Sequence, residues 1–212
     1  MKIAVFGSTG GTGKRVVEQA LAAGHEVIAV ARRPDAITVQ HASLRVVKGD
    51  VIDAASVAAA LEGADAVISA FGPPDNSKPG TLMSTGIANI VAGCAQKNVR
   101  RFVFESGLMC SDGTGLSFAS RMGVGFFGWW YRAMRDDKRI AERSIVGSKI
   151  PHWVIVRPPG LSDAPGTGKY VEGVDAPVDA TKALPHADVA AFLIRAATDD
   201  AYAKTIRAIG AA

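Results

Sequence analysis

Near the start of the chain, glycines recur in "FGSTGGTGKR", residues 6–15, a run whose backbone amides could cradle a phosphate. Two chemistries use such a run. A nucleotide-hydrolysing loop needs a glycine, four residues, then Gly-Lys followed by Ser or Thr. Counting back from Gly13-Lys14 puts Ser8 where that first glycine belongs, and Arg15 stands where a hydroxyl would hold magnesium. The dinucleotide spacing fits instead, as Gly7-x-x-Gly10-x-x-Gly13. In that pattern Gly7 makes the tight turn out of a strand, Gly10 lets backbone approach a pyrophosphate, and Gly13 lets the next helix pack close. Gly11 belongs to the same loop, and Thr9 and Thr12 are small hydroxyl donors placed to reach phosphate oxygens. The expected cofactor is NADPH. An NAD site places an acid after its second strand for the ribose 2′-hydroxyl, whereas "VIAVARRPD" offers Arg32 and Arg33, whose guanidinium groups suit a 2′-phosphate.

A loop of this kind works at the carboxyl end of a strand in a parallel sheet, and the rest of the chain reads that way. Short runs rich in Val, Ile and Phe at Lys2–Gly7, Glu26–Ala31, Leu44–Lys48, Ala66–Phe71, Arg101–Glu105 and Trp153–Arg157 predict strands. Helical patterns intervene at about Gly11–Ala23, Asp53–Leu61, Thr81–Lys97 and Trp129–Val146. Near-continuous apolar strands separated by helices predict an α/β, Rossmann-type doubly wound parallel sheet, with ligand where the strand order reverses. Residues 158–212 break the rhythm with Pro- and Gly-rich turns, then a helix in "LPHADVAAFLIRAAT", capped by Asp188 or the polar residues before it. They are expected to form a small C-terminal substrate-side cap on a single domain spanning residues 1–212.

Composition narrows the function classes. Of 212 residues, 48% are apolar and the net charge is +4, with basic residues scattered rather than clustered, so no nucleic-acid partner is expected. Two cysteines, Cys94 and Cys110, make neither a disulfide framework nor a metal site, and His25, His152 and His186 lack ligand spacing; no metal is expected. No apolar run is long enough to span a bilayer, so the expectation is a cytoplasmic protein without a membrane partner, a monomer or weak homo-oligomer.

With these motifs in place the chain resembles the atypical short-chain dehydrogenases/reductases, most closely the NmrA-like group that includes biliverdin-IXβ reductase, also called flavin reductase. The resemblance runs over essentially the whole chain. It rests on "GSTGGTGKRVVEQAL", "VVKGDVIDAASVAAALEGADAVISAFG", "FVFESG", "DDKRIAERSI", "WVIVRPPGLSD" and "HADVAAFLI". It implies that Asp50 and Val51 lie against adenine, and that Ala70, Phe71 and Gly72 pass beneath the adenosine ribose and pyrophosphate. It also implies that Ser106 stands near the nicotinamide, that Lys138 is the catalytic lysine of the following helix, and that Pro158, Pro159 and Gly160 wall the nicotinamide. Two departures matter. The wider superfamily pairs a tyrosine with a lysine four residues on, and here Met134 precedes Lys138 at that spacing, with Tyr131 seven residues before. The histidine that follows the two prolines in biliverdin-IXβ reductase is replaced by Gly160.

Without the tyrosine, hydride transfer suits a flat conjugated acceptor, such as a flavin or quinone, whose proton comes from solvent. Ser106 could orient water or the carboxamide, or simply tie off a strand end; Lys138 could reach the nicotinamide ribose, or pair with Glu142 one helical turn away. The glycine-rich segment 113–134 carries Phe118, Phe126 and Trp130, expected to bind the acceptor as a mobile lid; self-association and core packing are the competing readings. The expectation is thus an NADPH-dependent reductase, with a non-catalytic NAD(P)-binding redox sensor as the alternative.

Overall fold

The computed structural model describes residues 1–73, 75, 78 and 80–212. Its strands are β1 (Lys2–Phe6), β2 (Glu26–Ala31), β3 (Leu44–Lys48), β4 (Ala66–Ser69), β5 (Arg101–Glu105), β6 (His152–Arg157), β7 (Leu161–Ser162), β8 (Tyr170–Gly173), β9 (Leu184–Pro185) and β10 (Thr205–Ala211). Helices are α1 (Gly11–Ala22), α2 (Ala54–Ala60), α3 (Leu82–Lys97), α4 (Phe118–Trp130), α5 (Arg132–Val146) and α6 (His186–Thr198). Eight strands form one sheet in the order β3-β2-β1-β4-β5-β6-β10-β8, all parallel except β8, which runs against β10. The Rossmann-type sheet expected from the sequence is therefore present. Its order reverses between β1 and β4, which opens a crevice at their carboxyl ends.

Strand alternation builds the two sides of the core. Ile3, Val5, Ile68, Val103 and Val154 face α1 and α6, whereas Ala4, Phe6, Val67, Phe102 and Ile155 face α2, α3 and α5. α1 buries Val16, Val17, Ala20 and Leu21 at helical spacing. Asp53 caps α2 by accepting from Ala55 and Ser56 amides, and Asn98 ends α3 in the left-handed region, φ 58°. The start of α3 has no cap of its own. Instead the buried Asp137 carboxylate of α5 accepts from the Met83 and Ser84 amides, at 2.8 and 3.1 Å, which fixes α5 against α3.

Three expectations change. Asp188 does not cap α6; its carboxylate accepts from the Thr167 and Gly168 amides and the Thr167 hydroxyl, closing the loop before β8. The helix expected over Trp129–Val146 is two helices that meet at Tyr131, and α4 forms where the glycines suggested a mobile stretch. Ser117 supplies its cap through a bond from the Ser120 amide, and Gly128 is where α4 closes on residue Met109, whose carbonyl would lie 3.6 Å from an added Cβ. Finally, within residues 158–212, β10 and β8 extend the central sheet, α6 covers one face beside α1, and only the segments around β7 and β9 turn toward the crevice. The antiparallel edge pair breaks the β-helix-β rhythm, and this hid it from a reading based on that rhythm.

Candidate active site

At the carboxyl ends of β1, β4, β5 and β6 lies a cleft of about 850 Å³. One wall is backbone. Gly7 sits at φ +82°, where a Cβ would fall 2.6 Å from the Ala70 carbonyl, and a Cβ on Gly13 would fall 2.1 Å from the Gly7 oxygen. Only glycine permits that turn. Gly10 begins α1 without any side-chain cap and with no acid in the first turn, so the amides of the helix start are left to meet an anion. Gly10 and Gly11 are exposed at the cleft, with Ala70, Phe71 and Gly72 beside them.

The opposite wall is a cluster of bonded side chains. The Lys138 ammonium donates to the Ser106 carbonyl at 2.5 Å, and the Ser106 hydroxyl donates to Glu142 Oε1 at 2.6 Å. Arg157 grips the same carboxylate with two bonds, 3.0 Å from Nε and 2.6 Å from Nη2. Glu142 is therefore Arg157's partner, and the Lys138–Glu142 pairing is not made. Burial lowers the Lys138 pKa, opposed by Cys110, Glu105 and Glu142 nearby, while burial and the Glu142 charge raise that of Cys110. Pro158, Pro159 and Gly160 leave β6 along this wall, and the Pro158 carbonyl accepts from the Leu108 amide at 2.7 Å.

Between the walls stands Glu105, at the end of β5 and 8% exposed. Burial pushes its pKa up to about 7, against the pull of Lys138 and the Thr12 hydrogen bond. Thr12 lies 3.1 Å from Glu105 Oε1 and 2.8 Å from His186 Nδ1. The Thr12 hydroxyl, expected to reach phosphate, is thus taken up inside the wall, because Thr12 is buried and faces β5 and α6. Thr9 stays exposed on the loop. His186 was expected to be structural or solvent-facing; its ring presses against Gly11, where a Cβ would meet it at 2.5 Å. Sequence reasoning missed Glu105 and Arg157 as well, and named Glu142 only as an alternative partner for Lys138. The only signal for the first two was an acidic and a basic residue at strand ends, which is too common to select them.

The remaining expected residues flank the cleft or leave it. Arg32 and Arg33 are exposed just past β2, beside the end of β3, and neither lines the cleft. Asp50 follows β3 and turns its carboxylate to the Ile52 amide, while the Val51 carbonyl accepts from Asn89 and its side chain packs near Phe71 over Gly86. Phe118, Phe126 and Trp130 do not line the cleft; they are 81%, 56% and 61% exposed on the outer face of α4. The helical period explains the correction, since it turns Gly123, Val124 and Phe127 inward instead, followed by Tyr131 and Met134.

A family described as NAD(P)H-binding matches residues 7–200. The chain belongs to that family. Its glycine turn and uncapped α1 are thus parts of an NAD(P)H-binding domain, and the resemblance to atypical short-chain dehydrogenases/reductases holds. The chain is 33% identical over 180 residues to an uncharacterized chloroplastic protein of Arabidopsis thaliana, covering 80% of this chain and 62% of that one. It is 34% identical over 107 residues to an uncharacterized protein of Mycobacterium tuberculosis, covering 50% of this chain and 12% of that protein. The chain therefore spans less than two thirds of these curated relatives. Among solved structures, the anaerobilin reductase ChuY from Escherichia coli is 25% identical with a TM-score of 0.80, over 100% of this chain and 97% of that one. A short-chain dehydrogenase/reductase from Veillonella parvula, in complex with NADP, shares the fold at 19% identity and a TM-score of 0.79, over 99% of this chain and 94% of that one. The family is thus oxidoreductase-like in fold and in cofactor class.

Proposed function

We propose that this chain is an NADPH-dependent oxidoreductase that transfers a hydride to a flat conjugated acceptor, a flavin or a quinone foremost. The observation that carries the reading is the open cleft itself. Free amides of α1 stand on one side and the Lys138–Ser106–Glu142–Arg157 cluster on the other, with Phe127 and Tyr131 over the space between. The glycine side would serve the cofactor of a sensor equally well; what a sensor has no need of is the bonded lysine cluster and the buried Glu105 carboxyl across from it. The likeness to an anaerobilin reductase supports the same class of reaction.

The cofactor, when bound, supplies the hydride. The Gly7–Gly13 turn and the first amides of α1 fit its pyrophosphate, while Ala70, Phe71 and Gly72 fit beneath the adjoining ribose. Asp50 and Val51 fit the adenine side, and Arg32 and Arg33 are the cations available for a 2′-phosphate. Ser106, Pro158, Pro159 and Gly160 fit the nicotinamide end. Lys138 holds the Ser106 carbonyl and so keeps the end of β5 in place. Burial lowers its pKa, and nearby Cys110, Glu105 and Glu142 oppose that; a cation held there, away from water, is worth more to a developing anion than an exposed lysine.

Met134 occupies the position of the superfamily's tyrosine, so the proton must come from elsewhere. Solvent is one source. Glu105 is a second, since a carboxyl raised to about 7 still carries its proton through much of the neutral range. Thr12 bridges it to His186, whose pKa is lowered by burial and which is therefore a neutral acceptor or donor at the cleft. Turning the Thr12 hydroxyl passes one proton along this row in either direction.

The test is NADPH oxidation by the purified chain with riboflavin, FMN and a small quinone, repeated with NADH. Turnover of at least one acceptor, faster with NADPH, is expected. Tight NADPH binding with no acceptor reduced would instead favour the sensor.

A further inference from the structure

The outer face of α4 carries the densest group of exposed large apolar side chains among the described residues. Phe118, Met122, Phe126, Trp129 and Trp130 are 81%, 61%, 56%, 60% and 61% exposed. At 100° per residue they share an arc of about 120°, and Phe126 stacks on Trp130 with centroids 6.2 Å apart. Nothing in the fold covers them. Ser120 and Gly128 are buried on the other side of the helix, with Gly123, Val124 and Phe127 at the cleft.

We propose that α4 docks the chain on an anionic lipid surface and that the acceptor of the proposed reductase is a quinone dissolved in that lipid. The second half rests on the function proposed above; the first half does not. Tryptophan and phenylalanine on one face of a helix, with arginines beside them, are what the headgroup region of a bilayer takes up. On and just after α4 stand Arg121 and Arg132, with no acidic residue from 113 to 135; the third arginine there, Arg135, is paired with Asp136. Arg121 and Arg132 are exposed. That charge also opposes a second copy as the occupant, since a two-fold pairing of α4 would set these arginines near their own counterparts. The helix lies on the surface rather than crossing it. Its 13 residues extend only about 20 Å, short of a hydrocarbon core of about 30 Å, and no helix among the described residues is long and apolar enough to span.

The position of α4 links docking to chemistry. Phe127 is 52% exposed and also lines the cleft, so the same helix presents one face outward and one to the space beside Tyr131 and Met134. With the outer face seated in lipid, the helix in contact with the surface is the one that lines the cleft.

The intact chain can be tested with phosphatidylglycerol/phosphatidylcholine vesicles and with phosphatidylcholine alone. The chain has three tryptophans, and Trp153 is buried in β6, so a change in emission reports Trp129 and Trp130. Co-sedimentation with the anionic vesicles and a blue shift are expected, with binding about tenfold or more weaker at high salt or on neutral lipid. Met122→Glu and Arg121→Glu should each reduce binding while melting temperature and NADPH affinity hold. Absence of binding, equal binding to both vesicles, binding untouched by both substitutions, or a stable dimer with emission already blue-shifted would each overturn docking. Reduction rates for a short-chain soluble quinone and a vesicle-embedded long-chain quinone separate the two halves. Vesicle binding without turnover of either quinone sinks the reductase reading alone. Turnover of the soluble quinone without vesicle binding sinks docking alone. Docking with reduction of only the soluble quinone overturns the lipid-dissolved acceptor.

Discussion

Along the glycine turn, the cleft wall is bare backbone, shaped by residues that have no side chain to place. Across from it, at the ends of β5 and β6, the wall is a set of charged side chains that hold one another: Lys138 on the Ser106 carbonyl, Ser106 on Glu142, and Glu142 on Arg157. The backbone wall is sterically determined, with contacts of 2.1–2.6 Å to any added Cβ at Gly7 or Gly13. The side-chain wall is electrostatically determined, and each member depends on its partner remaining. One wall suits a cofactor shared across a whole family. The other is held by mutual charges, so it changes only when partners change together.

If that contrast holds, the walls should break differently. The largest effect belongs to Glu142→Ala, which strands the part-buried Arg157 guanidinium; a loss of about 3–5 kcal/mol is expected in denaturant unfolding. Glu105→Gln should show its effect in pH. Folding favours the neutral carboxyl, so that contribution to stability is complete below the ordinary glutamate value of 4.5 and is lost as the pH rises through about 7. At about pH 8.5 the glutamine variant should be more stable than the parent by on the order of 3 kcal/mol, and at about pH 4 the two should coincide, as read by thermal melts. Gly13→Ala should cost about 2–3 kcal/mol with loss of NADPH binding, whereas Gly160→Ala, with open space around its Cβ, should leave stability unchanged. Arg32→Ala with Arg33→Ala should leave the fold intact and act on the cofactor alone. NADPH affinity should fall by about tenfold to a hundredfold while NADH affinity stays, measured by fluorescence titration.

The same contrast decides what the sequence reveals. The glycine spacing, β2, β3 and β5 can be read directly, because backbone demands and apolar runs are local and carry fixed residue types. The Thr12–Glu105–His186 row cannot, since its members are 93 and 174 residues from Thr12 and meet only once the sheet forms. α4 fails for another reason. Its three glycines argue for a loop, and the period that separates Phe127 from Phe126 and Trp130 matters only once a helix is granted. Asp188 looked like a cap by position, yet it serves the loop at Thr167, a partner that no local pattern names.

The most direct test of the two-wall account is a crystal structure with NADP⁺ bound. The account predicts pyrophosphate oxygens on the amides of Gly11 and Thr12, the Gly10 amide being held by the Gly7 carbonyl, the 2′-phosphate at Arg32 or Arg33, and the nicotinamide between Ser106 and Pro159 with open space toward Phe127. A nicotinamide turned away from Ser106, or a cleft closed by Phe127 and Tyr131 when the cofactor is present, would contradict it.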